Sequence, residues 1–148
     1  MKALLQRVST ASVEVEGKVV GEIGQGLLVL LGLDRDDNEE VARRLLEKLL
    51  NYRVFSDSDG RMNCSVRDVD GGVLLVSQFT LSAATDKGLR PSFTSAMAPG
   101  EAEPLYLRCC EILRASHEHV ATGIFAADMQ VSLVNDGPVS FLLEVNPG

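Results

Sequence analysis

The 148-residue sequence has no tryptophan, two histidines and three cysteines, and aromatic residues make up only 5% of it. Each shortage excludes something. His117 and His119 are two apart near the end of an expected helix, so their rings point in different directions. They read as exposed residues at a helix C-terminus, where a cation suits the dipole, rather than as metal ligands or a catalytic base. Cys64, Cys109 and Cys110 form an odd set without CxxC spacing. The adjacent pair cannot bridge within a helix, so all three read as reduced thiols. Positive charge is also short: 14 Lys and Arg against 21 Asp and Glu give a net charge of −7. Such a balance argues against gripping long stretches of nucleic-acid backbone, DNA included. No apolar run is long enough for a bilayer, since Leu27 to Leu33 is far short of a span. The N-terminus meets Lys2 and Arg7 without a signal peptide's apolar core, and the expected location is cytoplasmic.

What is present belongs to one globular domain over residues 1–148. Hydrophobic residues make up 45% and charged residues 24%, ordinary values for a packed core. Residues 3–15 read as a strand with a polar middle, ending in the alternation Val13-Glu14-Val15. Glu16-Gly17-Lys18 is a turn, Val19-Val20 a short strand, and Leu27–Leu33 a central strand covered on both faces. Asp34 to Asn38 offers N-caps for a helix over about 38–51, with Val41, Leu45, Leu49 and Tyr52 on its inner face. Arg53-Val54-Phe55 is a short strand. Asp57-Ser58-Asp59-Gly60 resembles part of a calcium loop but lacks the later ligands, so it reads as a plain turn. A strand over 73–81 and a long loop over 82–100 precede a second helix over about 101–117. Strands over 129–135 and 139–145 complete the chain. Many strands and two helices without a boundary define a single α/β (α+β) domain.

Two segments look chemical. Ser77-Gln78-Phe79-Thr80-Leu81 closes the apolar run Val73–Val76, and Asn135-Asp136-Gly137-Pro138-Val139-Ser140 interrupts a hydrophobic strand. Neither holds a His, Lys or carboxylate placed to activate a nucleophile. Thr80 and Ser77 are well-presented hydroxyls, but a hydroxyl needs a partner base near neutral pH. Gln78 and Phe79 read equally well as a cross-strand hydrogen bond and a core ring. Gly137-Pro138 reads either as a hairpin turn or as a place of close backbone approach to a ligand, and trans is the default for its peptide bond. Arg43, Arg44, Lys48 and Arg53 cluster on and after the first helix, interleaved with Glu39, Glu40 and Glu47. Lys87 and Arg90 sit in the long loop. Both sets read as solvated surface or as contacts to a few phosphates at an RNA end.

Together, Ser77-Gln78-Phe79-Thr80-Leu81 and Asn135-Asp136-Gly137-Pro138-Val139 resemble the two signature motifs of the D-aminoacyl-tRNA deacylases, also called D-Tyr-tRNA deacylases. Gln6-Arg7-Val8, Gly60-Arg61-Met62-Asn63, Arg90-Pro91-Ser92-Phe93 and Thr122 through Met129 follow in the family's order, so the likeness runs nearly end to end. Ser140 stands where the family commonly has Thr; the hydroxyl is kept and a methyl lost.

The resemblance implies a barrel-like core of mixed, mostly antiparallel sheets with two main helices packed outside. It implies hydrolysis of the ester joining a D-amino acid, or glycine, to the 3′-terminal adenosine of tRNA, without metal or organic cofactor. Ser77, Gln78, Phe79 and Thr80 would form the catalytic segment, with Gly137, Pro138, Arg7, Met129 and Asn135 binding substrate. It also implies a homodimer with sites at the interface, a cis Gly137-Pro138 step inserted into the partner's pocket, and assistance from the RNA's own 2′-hydroxyl. An RNA-binding module without catalysis and a Thr- or Ser-nucleophile esterase for small metabolites are the rival readings.

Overall fold

The computed structural model describes residues Met1–Gly148. Three long strands organise it: β1 (Lys2–Val15), β3 (Gly26–Gly32) and β8 (Gln130–Glu144). β1 is long enough to serve three neighbours. Its first half pairs antiparallel with β3 and its second half with β2 (Lys18–Ile23), while β8 runs antiparallel along its other edge. β3 in turn pairs parallel with β6 (Gly72–Ser77), and β6 pairs parallel with β7 (Val120–Thr122). β2 and β7, at the two ends of this order, lie against each other, so the sheet curls toward a closed barrel. A separate ribbon joins β4 (Phe55–Ser56) to β5 (Met62–Cys64).

The parallel pairs require crossovers, and two helices supply them. α1 (Glu39–Asn51) starts where the Asn38 side chain accepts the Val41 N–H at 3.0 Å, a cap worth about 1 kcal/mol. Its inner face buries Val41, Leu45, Leu46, Leu49 and Leu50, and truncating one such leucine typically costs about 2–5 kcal/mol. α2 (Pro99–Ser116) opens with Pro at its first position, where no N–H is needed. Buried Tyr106 fixes it to the sheet by donating its hydroxyl to the Leu75 carbonyl at 2.8 Å.

β3 and β6 are apolar on both faces because they separate two clusters. The larger cluster, 27 residues, joins Leu27, Val29, Val73 and Leu75 to both helices. The smaller, seven residues, fills the concave side with Val8, Val13, Leu28, Leu74 and Val76. Cys109 and Cys110 are buried in the larger one, and burial pushes the Cys109 thiol up to about 12. The Met1 ammonium is also buried, held by Asp34 at 2.9 Å, Asp37 at 2.8 Å and the Val145 carbonyl at 2.9 Å. No helix is long and apolar enough to cross a membrane.

Several local expectations are corrected. The strand placed over 73–81 stops at Ser77, and Phe79–Ser82 form a 3-10 turn. The strands placed over 129–135 and 139–145 are one strand, β8, continuous past the proline. Its register against β1 shifts between Gln6 and Val8, which lets residues 136–139 stand out without ending the pairing. His117 is buried, with Nε2 2.7 Å from the Gly71 carbonyl, rather than exposed. The plain turn expected at Asp57–Gly60 is present: the Asp57 carboxylate accepts the N–H groups of Asp59 and Arg61 at 2.8 and 3.0 Å and the Asn63 amide at 2.8 Å.

Candidate active site

A cavity of about 760 Å³ opens between the end of β6, the start of α2 and the segment before β8. Ser77, Gln78 and Phe79 form one wall, Phe125, Ala126, Ala127 and Met129 another, and Phe93 stands near the rim. The small residues Ala98 and Ala102 at the head of α2 leave the space open. The lining contains no imidazole, carboxylate, thiol or amine; Arg35 is its one charged residue.

Glycine at position 32 is what brings the 3-10 turn to this wall. A Cβ on Gly32 would lie 2.9 Å from Leu81 Cβ, 3.0 Å from Ser82 Oγ and 3.3 Å from the Gln78 carbonyl. Only a bare backbone lets β3 and the turn approach so closely. Gln78 N–H donates to the Leu31 carbonyl at 2.7 Å, and Leu81 N–H returns to the Gln78 carbonyl at 3.2 Å. The N–H groups of Phe79 and Thr80, at the head of the turn, are left without a main-chain acceptor, as expected for a first helical turn. The Thr80 hydroxyl is held by the Gln78 side-chain amide. Phe79 is 61% exposed and stacks at a tilt against Phe93, ring centres 5.1 Å apart.

The opposite wall turns sharply at Ala126, whose φ of 62° is left-handed. A non-glycine residue pays about 1 kcal/mol or more for that conformation. Neighbouring Ala127 N–H donates to the Ile124 carbonyl at 3.3 Å. The two alanines add little side chain to this wall between Phe125 and Met129.

The second group of expected residues gathers elsewhere. Arg7, opposite the register shift, donates from Nε to the Asp136 carbonyl at 3.0 Å and from Nη1 to the Val54 carbonyl at 2.8 Å. Asn135 accepts the Val139 N–H at 3.1 Å and donates to Ser140 Oγ at 3.2 Å. The residue that replaces threonine thus keeps a hydroxyl contact. The Gly137-Pro138 bond is cis, as the resemblance implies and against the trans default. Gly137 has φ 131°, and a Cβ there would sit 2.8 Å from Val139 Cγ2 and 3.1 Å from Arg7 Nη2.

Ser77, Gln78, Phe79 and Met129 therefore share one cavity, with Thr80 behind the wall. Arg7, Asn135, Gly137 and Pro138 shape an exposed turn that does not line that cavity in the same chain. Phe93, Phe125, Ala126, Ala127 and Arg35 were not among the expected site residues. Phe93 and the run Phe125–Met129 lie in segments that carry the family likeness, but apolar and alanine side chains give no chemical signal by themselves. The basic cluster Arg43, Arg44 and Lys48 borders a different groove between α1 and the far end of α2. Asp70, Glu118 and His119 bring ligand atoms within 4.8 Å of one another on the exposed surface, and none of them lines the cavity.

The architecture, a mixed sheet nearly closed into a barrel with two helices outside, recurs in solved structures. One described as a c-Myc DNA unwinding element binding protein is 41% identical, covers 99% of this chain and 100% of its own, and superposes with a TM-score of 0.95. Another, described as a probable eukaryotic D-amino acid tRNA deacylase, is 19% identical and shares the fold with a TM-score of 0.84 over 97% of this chain and 98% of its own. In sequence, the D-aminoacyl-tRNA deacylase of Cellvibrio japonicus is 61% identical over 99% of this chain and 100% of its own. That of Escherichia coli is 59% identical over 98% and 100%. The D-Tyr-tRNA(Tyr) deacylase family profile matches residues 4–144, and the chain belongs to that family.

Proposed function

We propose that the protein hydrolyses the ester between a D-amino acid, or glycine, and the 3′-terminal adenosine of tRNA, releasing amino acid and tRNA. The observation that carries this reading is the cavity's furnishing: Ser77, Gln78 and Phe79 line a space without any side-chain acid, base or activated nucleophile, and the adjoining main-chain N–H groups of Phe79 and Thr80 have no main-chain acceptor. An aminoacyl ester is already reactive, so orientation, an oxyanion site and a placed water suffice. One well-aimed N–H donor typically contributes about 3 kcal/mol to the transition state. In this reading the Phe79 and Thr80 amides receive the oxyanion and the RNA's 2′-hydroxyl assists the water. The Thr80 hydroxyl, held by Gln78, positions rather than attacks.

Stereochemical selection then falls to the turn at Gly137-Pro138, contributed by a second copy. Two observations support a dimer built on β8. The strand's outer edge has no partner in the chain, and it exposes Val134 and Leu142 to 57% and 58%. A long unpaired edge with exposed apolar residues is ordinarily covered. Main-chain atoms inserted across that contact exclude an L side chain by collision and leave room for its mirror image or for hydrogen. Met129 borders the amino-acid end, and Arg7 and Asn135 hold the turn in shape. No metal or organic cofactor takes part, DNA is not a partner, and the work is cytoplasmic.

The test is release of labelled amino acid from D-Tyr-tRNA, Gly-tRNA and L-Tyr-tRNA. The first two should be cleaved far above their spontaneous rates, and the third not. Binding of D-Tyr-tRNA without accelerated release would replace the enzyme with an RNA-binding module. Light scattering should give a dimer mass.

A further inference from the structure

Residues 85–91, Thr-Asp-Lys-Gly-Leu-Arg-Pro, form an arm closed at its base by paired main-chain bonds: Ala84 N–H to the Ser92 carbonyl at 2.8 Å and Ser92 N–H to the Ala84 carbonyl at 2.9 Å. The arm stands in solvent, with Leu89 at its tip fully exposed. Its base is bound to the cavity. Phe93 lines the rim against Phe79, and Ser95 joins two walls by accepting the Arg35 N–H at 2.9 Å and donating its hydroxyl to the Ser82 carbonyl at 2.5 Å.

Ion pairs engage Lys2, Arg7, Arg43, Arg67 and Arg108. Arg35, Lys87 and Arg90 have neither an ion-pair partner nor a side-chain hydrogen bond, a state they share with Lys18, Lys48, Arg53 and Arg61, but those four do not lie on the cavity wall or on the arm beside it. Arg35 lines the cavity itself, and Lys87 and Arg90 stand on the arm whose base, Ala84 and Ser92, adjoins the rim residue Phe93. With Asp36 and Asp86 next to them, they make a few point contacts rather than a broad basic field. That arrangement suits a short single strand and not a duplex.

An adenosine ester seated in the cavity leaves its preceding phosphates at the rim. We propose that Arg35, Lys87 and Arg90 form a phosphate-binding rim that grips the single-stranded backbone just upstream of the terminal adenosine and sets how deeply the ester enters. This rests on the deacylase reading above. Arginine offers planar donors to phosphate oxygens and lysine a mobile point charge, and the aromatic pair beside them is a familiar companion in single-strand binding.

The test compares D-Tyr-tRNA with D-tyrosyl-adenosine, which carries the same ester and no phosphate, using the exposed double variant K87A/R90A. On the tRNA its kcat/KM should fall at least about tenfold, mainly through KM. The slope of log(kcat/KM) against log salt should flatten by about 1.4, two contacts at roughly 0.7 each for a single strand. Cleavage of the adenosine ester should be unchanged. Equal losses on both substrates would mean that the arm merely shapes the cavity, and an unaltered salt slope would mean that no phosphate is touched; either overturns the rim. Wild-type protein inactive on both esters would instead remove the deacylase reading, and the rim with it.

Discussion

Replacing Gly137 with alanine tests the division of labour between the two residue groups. The added Cβ would stand 2.8 Å from Val139 Cγ2 and 3.1 Å from Arg7 Nη2, inside the ~3.5–4.0 Å of a comfortable contact. It would also have to hold φ near 131°, a region populated almost only by glycine, at a cost of about 1–3 kcal/mol. The cheapest relief is to shift the turn and loosen the hydrogen bond from Arg7 Nε to the Asp136 carbonyl. If the turn is misplaced by that much free energy, kcat/KM on D-Tyr-tRNA should drop about five- to 150-fold. The informative assay adds a second variant, Ala127→Trp, whose indole plugs the cavity and leaves the turn alone. Each variant by itself should be poorly active. Co-expressed with different affinity tags, half the dimers are mixed, and each carries one intact cavity facing one intact turn. Activity should recover to about a quarter of wild type. A mixture no better than the mean of the two variants would refute the argument, because a turn serving its own chain leaves both halves of a mixed dimer defective.

Thr80→Ala should retain substantial single-turnover hydrolysis, since main-chain donors and the RNA carry the chemistry; complete loss in a folded variant would make the hydroxyl a direct participant. Gly32→Ala should displace the 3-10 turn and reduce activity more than stability, as judged by comparing deacylation with the urea midpoint. Burial opposes ionisation of Asp34, but bonds from the Met1 ammonium and Lys2 outweigh it and hold the carboxyl below its ordinary 3.8. A depressed folded pKa stabilises the fold above the unfolded value and loses that contribution as pH falls through the folded one. The urea midpoint should therefore drop from pH 5 to pH 3, and Asp34→Asn should flatten that dependence while lowering the midpoint at pH 6.

The elements most legible in the sequence were those with one dominant cause. Leu27–Leu33 is apolar throughout because both faces of β3 are covered, and Asn38 with Glu39 and Glu40 marks the start of α1 to within a residue. Residues 78–81 misled because Phe, Thr and Leu suit a strand, whereas the close approach at Gly32 bends the chain away; no local pattern encodes that tertiary constraint. Gly137-Pro138 misled in the opposite sense. A proline that should end a strand is absorbed by a register shift against β1, which depends on Arg7, 130 residues upstream. His117 was misplaced because its partner, the Gly71 carbonyl, is also remote in sequence, 46 residues away. Ser77–Thr80 stand out in the sequence by their hydroxyls and amide, whereas of the opposite wall only Met129 was expected, because Ala126 and Ala127 contribute mainly shape.

A cavity without thiol, imidazole or activated hydroxyl offers electrophilic warheads nothing to capture. Compounds meant to block it must compete as mimics of shape and hydrogen bonding, and chemoproteomic surveys that fish for reactive side chains will pass it by.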